Sequence, residues 1–464
     1  MKKTLLILSL CASMLPSFKA QAQDETPYTL QIFDHAVFYN MYEGLVEEPI
    51  PAGAIRTKNS SYARKLTADQ IAEIGNTLTV NVSLSPLCDT YDRIGNVNLV
   101  LAPKGATSYN YNDVKRIEVG RFITPFMNLL KTTITEVPYT FEVNNITKIL
   151  HDQIITAEYD FWFELEVYGY QGDSTAGAVH DLPNTCPGRN DVYMGSLELV
   201  STQSTNLIQG DDNFFVPLSY KYELKNYTLD GTDVIGQTVR TITFTTEEAV
   251  PNAKLYLITS NHGQREEFAR RNHEVYFDGD KKLTYKPGGL SCVPYSIYNT
   301  MPNFIYLDQT TGRPRPDTDA AWNWNNWCPG NAIPTRIIEL GTLAAGEHSF
   351  KINVPTAQFL SNAGVNNDGY FPMSVYVQGY NETLGVDKFE VANVSVYPNP
   401  VNDIATIDAP GLNIKSVNVI NTLGQTIYTG TTDKVNMSQL QSGIYIVRVE
   451  FDNNQIAVKK IIKK

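Results

Sequence analysis

Short runs of alternating apolar and polar residues recur along this chain, among them Thr77–Ser83, Phe163–Tyr168, Arg240–Thr245 and Ser374–Gln378. Successive residues of a strand face opposite sides of a sheet, so such runs predict half-buried strands. Gly, Pro, Asn and Asp punctuate them at short intervals, and helical spacing is almost absent. One or two helical turns are expected over Ala68–Ile74. Regular short strands between turn residues predict an all-β chain of sandwich or jelly-roll domains. Two stretches break the rhythm, Gln171–Tyr193 and Gly288–Pro334. Loops of that length in a compact β domain are usually functional or tied down. The second carries Cys292, Cys328, Tyr295, Tyr298, Trp322, Trp324 and Trp327, and is expected to be ordered.

At the N-terminal end Lys2 and Lys3 precede the apolar run Thr4–Leu15, followed by Ala20-Gln21-Ala22. Charged, apolar and small-residue regions in that order predict a secretory signal peptide over residues 1–22. The run is too short to span a bilayer, and no later stretch is long and apolar enough for a transmembrane helix. A length of 464 residues suits two or three domains, and the 27 tyrosines favour strands. A net charge of -12 argues against nucleic acid as a partner, because phosphate binding needs a basic footprint. Removal of the leader leaves Cys88, Cys186, Cys292 and Cys328, which predict two disulfides in an oxidising compartment among three possible connectivities. The chain has no Cys-x-x-Cys, His-Glu-x-x-His or His-x-His pattern, so no metal site and no cofactor are expected.

Two local sequences are dense in reactive side chains. Cys88-Asp89-Thr90-Tyr91-Asp92-Arg93 places two carboxylates, an aromatic ring and an arginine in a cysteine-tied turn. Asn261–His273 holds Glu266, Glu267, three arginines and two histidines between strands. Such groups can hold a water and a polar substrate. By composition alone each also reads as a charged turn whose ions pair with one another, Arg93 with Asp89 or Asp92 in the first.

Together these words resemble the peptide-N-glycosidase F family. The resemblance rests on Cys88–Arg93 followed by Asn96-Val97, on Glu118–Phe126, on His262, Glu267, Phe268, Arg271 and His273, and on Trp327-Cys328-Pro329-Gly330 followed by Pro334-Thr335-Arg336, in that order. It implies two adjacent eight-stranded jelly rolls, residues 23–205 and 206–388, with a site in the cleft between them. The implied substrate is an N-linked glycopeptide or glycoprotein and the implied reaction is hydrolysis of the Asn–glycan amide. Asp92 takes the position of the principal catalytic aspartate and Glu267 that of a site glutamate. A second family glutamate falls in the stretch Glu158–Trp162, where Asp160 or Glu158 is the nearest substitute. Arg93 and Arg271 would orient the acids or meet charge on the carbonyl oxygen. Tyr91, Phe268 and Trp327 would face sugar rings beside His262. The resemblance also implies a Cys292–Cys328 bridge and, with it, Cys88–Cys186. The sequence departs from the family at Arg265 and Ala269, which stand for cysteines, at Phe268 and at Trp324.

The segment 391–464 has a character of its own. Tyr397-Pro398-Asn399-Pro400, the turn Leu423-Gly424-Gln425, the strand Ser442–Val449 and the lysine-rich stretch Lys459–Lys464 resemble the C-terminal sorting domain of the type IX secretion system. That implies the secretion machinery as a partner and delivery to the surface or exterior of a Bacteroidetes-type bacterium. Three functions compete on this reading: the amidase, a glycan- or glycopeptide-binding protein on the same scaffold, and a copper monooxygenase. The last lacks His-x-His and Met ligand patterns.

Overall fold

The computed structural model describes residues 27–127, 129–130, 136–170, 186–203, 213–224, 238–263, 266–267, 269–300, 325–357, 369–380, 394–409, 412–421, 425–452 and 456–464. The leader predicted over 1–22, Phe268, Trp322, Trp324 and the turn at Leu423-Gly424 lie outside them. The described residues up to 380 form one compact unit, and those from 394 onward a second.

In chain order the larger unit contains β1 (Tyr28–Tyr39), β2 (Ala54–Lys58), β3 (Ser61–Lys65), β4 (Thr79–Pro86), β5 (Ile94–Pro103), β6 (Lys115–Ile123), β7 (Val137–Glu142), β8 (Tyr159–Val167) and β9 (Asp191–Ser201). Then come β10 (Asn213–Leu224), β11 (Val239–Thr246), β12 (Val250–Thr259), β13 (His273–Phe277), β14 (Asp280–Tyr285), β15 (Ala332–Ile333), β16 (Arg336–Leu343), β17 (Gly346–Asn353) and β18 (Phe371–Tyr380). The first sandwich faces the sheet β1-β9-β4-β7 against β15-β6-β5-β8-β3-β2. The second faces β10-β18-β12-β16 against β11-β17-β13-β14. All pairings in these sheets are antiparallel, as two adjoining jelly rolls require.

Alternation decides which face each strand buries. In β4 the side chains of Val80, Val82 and Leu84 point inward, and in β17 those of His348, Phe350 and Ile352 do. Each roll has its own apolar core, one around Phe38, Leu99, Phe163 and Leu197, the other around Leu255, Phe350, Phe371 and Val375. Strands β5, β6 and β8 are buried on both faces. On the second face β6 meets β10 and β18 of the second roll, and Asn96, Asn98 and Glu166 of β5 and β8 meet Tyr220 and Lys221 of β10.

Buried polar groups must find partners, because an unpaired one costs free energy in a low-dielectric interior. Here they do. Arg116 pairs with Glu164 at 2.8 Å, Lys221 of β10 with Glu166 at 2.7 Å, and Tyr220 accepts from Asn98 at 2.9 Å. Arg121, wholly buried, donates to both oxygens of Glu118 at 2.7 Å and crosses to Ser260 Oγ at 2.9 Å and Pro372 O at 2.8 Å. Strand β15, although late in the chain, adds to the edge of β6. The two rolls are thus joined by main-chain pairing and by desolvated ion pairs.

The short helix over Ala68–Glu73 appears where expected, closed by a capping box of Thr67 and Gln70. Two further helices, Asn144–His151 and Gln153–Glu158, were not anticipated. The first buries Ile146, Ile149 and Leu150, a helical spacing too brief to stand out in the sequence. The smaller unit is a sandwich of its own. One sheet joins Ser395–Tyr397, Ile404–Asp408 and Lys434–Asn436; the other joins Thr426–Gly430, Ile414–Asn421, Gly443–Phe451 and Ile456–Lys463. Val417, Val419, Val447, Val449 and Ile461 fill its core. No helix among the described residues is long and apolar enough to cross a membrane.

Candidate functional site

The turn before β5 is built around a buried carboxylate. Asp89 accepts from Tyr91 N at 2.9 Å, Tyr170 N at 2.7 Å and Arg93 Nε at 2.7 Å, and is itself inaccessible to solvent. Cys88 beside it is bridged to Cys186. Thr124, just after β6, accepts from Arg93 N at 2.7 Å and donates to Tyr91 O at 2.8 Å, while Tyr193 Oη donates to the same carbonyl at 2.6 Å. The backbone on both sides of Asp92 is therefore fixed, and the Asp92 side chain projects from a rigid turn.

Among the described residues no side chain hydrogen-bonds the Asp92 carboxyl. It retains partial solvent contact yet is walled by protein on most sides. Burial pushes its carboxyl well above the usual carboxylate range, the charge of Glu267 adds to the rise, and Arg93 opposes it. Asp92 from the first roll and Glu267 from the second thus lie within electrostatic reach of each other. Glu267 also acts on the hydroxyls of Tyr91 and Tyr370. Tyr91 is 45% exposed, with Phe126 edge-on at 5.4 Å. Tyr42, still more exposed, stands edge-on to Tyr170 at 5.5 Å and is close enough to act on Tyr370. Two acids with the hydroxyls of Tyr91 and Tyr370 in electrostatic reach is the arrangement.

The turn carrying Glu267 is held from behind. Glu266 is fully buried and takes Arg271 in a two-point ion pair, Nε and Nη2 each at 2.9 Å. Asn326 donates to Glu266 O at 2.8 Å and also to the carbonyls of Glu267 and Ala269. Cys328, two residues on, is bridged to Cys292. Neighbouring acids in the sequence thus divide the work, Glu266 anchoring inward while Glu267, half-buried, stays within electrostatic reach of Asp92.

Several predicted site residues are placed differently. Asp160 is not at this site: it faces Ala102 at the far end of β5, about 26 Å of strand from Ile94 at about 3.3 Å per residue. There it pairs with Lys65 and with Lys104 at 3.2 Å, and Glu158 lies at the same edge. The reason is register, since the strand-like run extends back to Tyr159 and carries the acid away from the cleft. Arg271 is committed to Glu266 and positions the turn rather than facing a substrate. Arg93 is likewise held by Asp89, although among the described residues its Nη1 has no acceptor. His262 and Trp327 are both only 7% exposed, stacked at 5.6 Å, with the indole N–H on Asn261 O at 2.8 Å. Burial, with the charge of Arg121 adding to it, pushes His262 down to about 3, so the ring is neutral. These two form the wall behind the site. Phe268 lies outside the described residues.

Tyr42, Tyr370 and Asn326 were missed by sequence reasoning, and Glu266 was named there without its anchoring role. No local signal marks the tyrosines; the pairing of a buried with a cleft-facing glutamate is foreshadowed only by the adjacent Arg270-Arg271. Among the described residues no cluster of His, Cys, Asp and Glu is arranged to hold a metal ion.

Comparison with known proteins agrees with this architecture. The family model for the N-terminal part of peptide-N-glycosidase F matches residues 29–171, and that for its C-terminal part matches 232–378. A secretion system C-terminal sorting domain matches 395–464. Among solved structures, PNGF-II is similar in fold, with a TM-score of 0.53 at 18% identity over 76% of this chain and 65% of that one. A glycosylasparaginase of Flavobacterium meningosepticum, PNGase F, gives a TM-score of 0.45 at 17% identity over 77% of this chain and 97% of that one. Two curated proteins match over short stretches. An ulvan lyase of Nonlabens ulvanivorans is 35% identical over 85 residues, and an endo-acting ulvan lyase of Formosa agariphila 34% over 90 residues. The chain spans 16% and 17% of the length of these two relatives. The sorting domain marks the chain for type IX secretion, to the surface or exterior of a Bacteroidetes-type bacterium. With both halves of one architecture matched in order and folded as adjoining jelly rolls, the chain belongs to the peptide-N-glycosidase F family and carries a type IX secretion sorting domain.

Proposed function

We propose that this protein hydrolyses the amide between asparagine and an N-linked glycan, with Asp92 and Glu267 as its acid–base pair. The observation that carries the reading is the mutual influence of these two carboxyls in a cleft rimmed by tyrosines. Two acids that repel each other's charge hold one proton between them over a range of pH. Burial favours that proton on Asp92. Asp92, at the position of the principal catalytic aspartate, therefore serves as the acid. Glu267 takes the proton of the attacking water, whose oxygen bonds to the amide carbon. Asp92 delivers its own proton to the nitrogen as the carbon–nitrogen bond breaks. The products are a peptide aspartate and a free glycosylamine, and the pair resets by returning the proton from Glu267 to Asp92. Positioned proton transfer of this kind typically contributes about 10²–10⁴-fold. Arg93, through Nη1, is oriented to meet negative charge on the carbonyl oxygen. The faces of Tyr91, Tyr42 and Tyr370 suit the apolar faces of sugar rings.

A glycan- or glycopeptide-binding protein on the same scaffold is the competing reading, favoured by the displacement of Asp160 from the cleft. Incubating the purified protein with a denatured N-glycoprotein and reading both products by mass spectrometry separates the two. Release of glycan with conversion of Asn to Asp supports the amidase; retention of intact glycopeptide without release supports binding alone.

A further inference from the structure

Behind the turn that carries Glu267 lies a groove lined among others by Thr259, Leu290, Asn326, Trp327, Pro334 and Arg336. Two of these, Arg336 and Asn326, carry polar groups for which the described residues supply no matching partner. Arg336, half-buried, lies with its guanidinium carbon 3.7 Å from the centre of the Tyr285 ring. Its hydrogen bond to Pro334 O is long, at 3.3 Å, and among the described residues no carboxylate pairs with it. Burial pulls its pKa below the ordinary arginine value, opposed only by the Tyr285 hydroxyl. An arginine desolvated without a counter-ion is costly, and an incoming anion removes that cost. Of the neighbouring arginines, Arg93, Arg121 and Arg271 each have an acid, and Arg270 is bound by the carbonyls of Pro287 and Gly288. Asn326 is the second. Its amide nitrogen clamps the Glu266–Ala269 turn, while its Oδ1 is buried without a donor.

The rest of the lining is apolar or weakly polar, with Leu290 63% exposed at the mouth. The geometry therefore describes a small site for one planar anion on an otherwise neutral group. A polyanion is disfavoured by the net charge of -12. We propose that this groove is a carboxylate subsite in which Arg336 forks onto a carboxylate of the substrate. The proposal rests on the reading of this chain as a glycopeptide-acting protein. The carboxylate comes either from an acidic sugar of the glycan or from an acidic side chain of the peptide. Because Asn326 also holds the carbonyl of Glu267, occupancy of the groove is coupled directly to the acid–base turn.

Equilibrium binding by calorimetry to the full chain tests this without relying on turnover. The probes are a released N-glycan terminated by N-acetylneuraminic acid, its desialylated counterpart, an aspartate-containing peptide, and the same peptide with asparagine in place of aspartate. One acidic probe is expected to bind about 10-fold or more tightly than its neutral counterpart, the gain of a charge-assisted two-point contact. Which acidic probe shows the preference identifies the source of the carboxylate. Arg336→Met removes the preference and Arg336→Lys retains part of it. If Arg336→Met does not fold, Leu290→Glu, at an exposed position, places a repelling charge at the mouth and weakens only the acidic probe. Equal binding of acidic and neutral probes, or a preference that survives both Arg336→Met and Leu290→Glu, overturns the proposal. Acid preference without amide release leaves the subsite standing and sinks the amidase; amide release without acid preference does the reverse.

Discussion

Replacing Arg121 by methionine removes a buried cation that links the two jelly rolls. Its guanidinium is inaccessible to solvent and makes four contacts, two to Glu118 and one each to Ser260 and Pro372 of the second roll. Taking one partner from a buried ion pair leaves the other charge uncompensated, at a cost of about 3–5 kcal/mol. The variant keeps the hydrophobic stem, so the loss reports on charge and hydrogen bonds rather than on a cavity. Glu118→Leu alone is expected to cost a similar amount, because it strands Arg121 instead. The double variant should be far less destabilised than the sum, since no buried charge remains. Chemical denaturation followed by tryptophan fluorescence and by circular dichroism supplies the three free energies. Hydrogen exchange should rise at β6 and β18, where the rolls meet. Costs that simply add, or a loss below about 1 kcal/mol for Arg121→Met, would show that the pair is not the desolvated link described here.

Other outcomes follow from the cleft and the turn behind it. If Asp92 is the acid, activity falls as pH rises through its elevated pKa, which lies well above the usual carboxylate range; a pH–rate profile that instead rises there reverses the two roles. The same shift has a stability consequence. A raised folded-state pKa stabilises the fold below the unfolded value and the contribution is lost as pH rises through the folded one, so Asp92→Asn should unfold at higher denaturant than wild type at pH 8, with the gap closing toward pH 4. Glu266→Gln removes the charge facing Arg271 and is expected to lower both stability, by about 2–4 kcal/mol, and turnover, measured by denaturation and by glycan release. Asn326→Leu frees the carbonyls of the Glu266–Ala269 turn, and should reduce kcat more than it shifts Tm.

The fold was legible because alternation is dense and local: Val80, Val82 and Leu84 show the inward face of β4 in a single glance at the sequence. The polar second face of β5 was not. Asn96 and Asn98 are polar strand residues, yet they are buried where Tyr220 of β10 meets them, a contact between distant segments. In the site, the role of Asp89 as the organiser of the turn was readable from its place beside Cys88. The division between Glu266 and Glu267 was not, since it depends on which of two adjacent acids meets Arg271. Asp160 misled because a shortened segment gives no hint of the strand register that carries it to the opposite end of β8. His262 and Trp327 were recognised as belonging to the site; their burial, which makes them its wall, comes from stacking across the second roll that no local pattern encodes.

The central claim is tested most directly by quantifying glycan release from a denatured N-glycoprotein by wild type and by Asp92→Asn in parallel. Wild type is predicted to release the glycan with conversion of the linked Asn to Asp. The variant, which keeps the shape but has no proton to give, is predicted to be slower by about 10²-fold or more with its fold intact. A wild-type protein that binds the glycoprotein and never cleaves it, or an Asp92→Asn variant of full activity, would contradict the account.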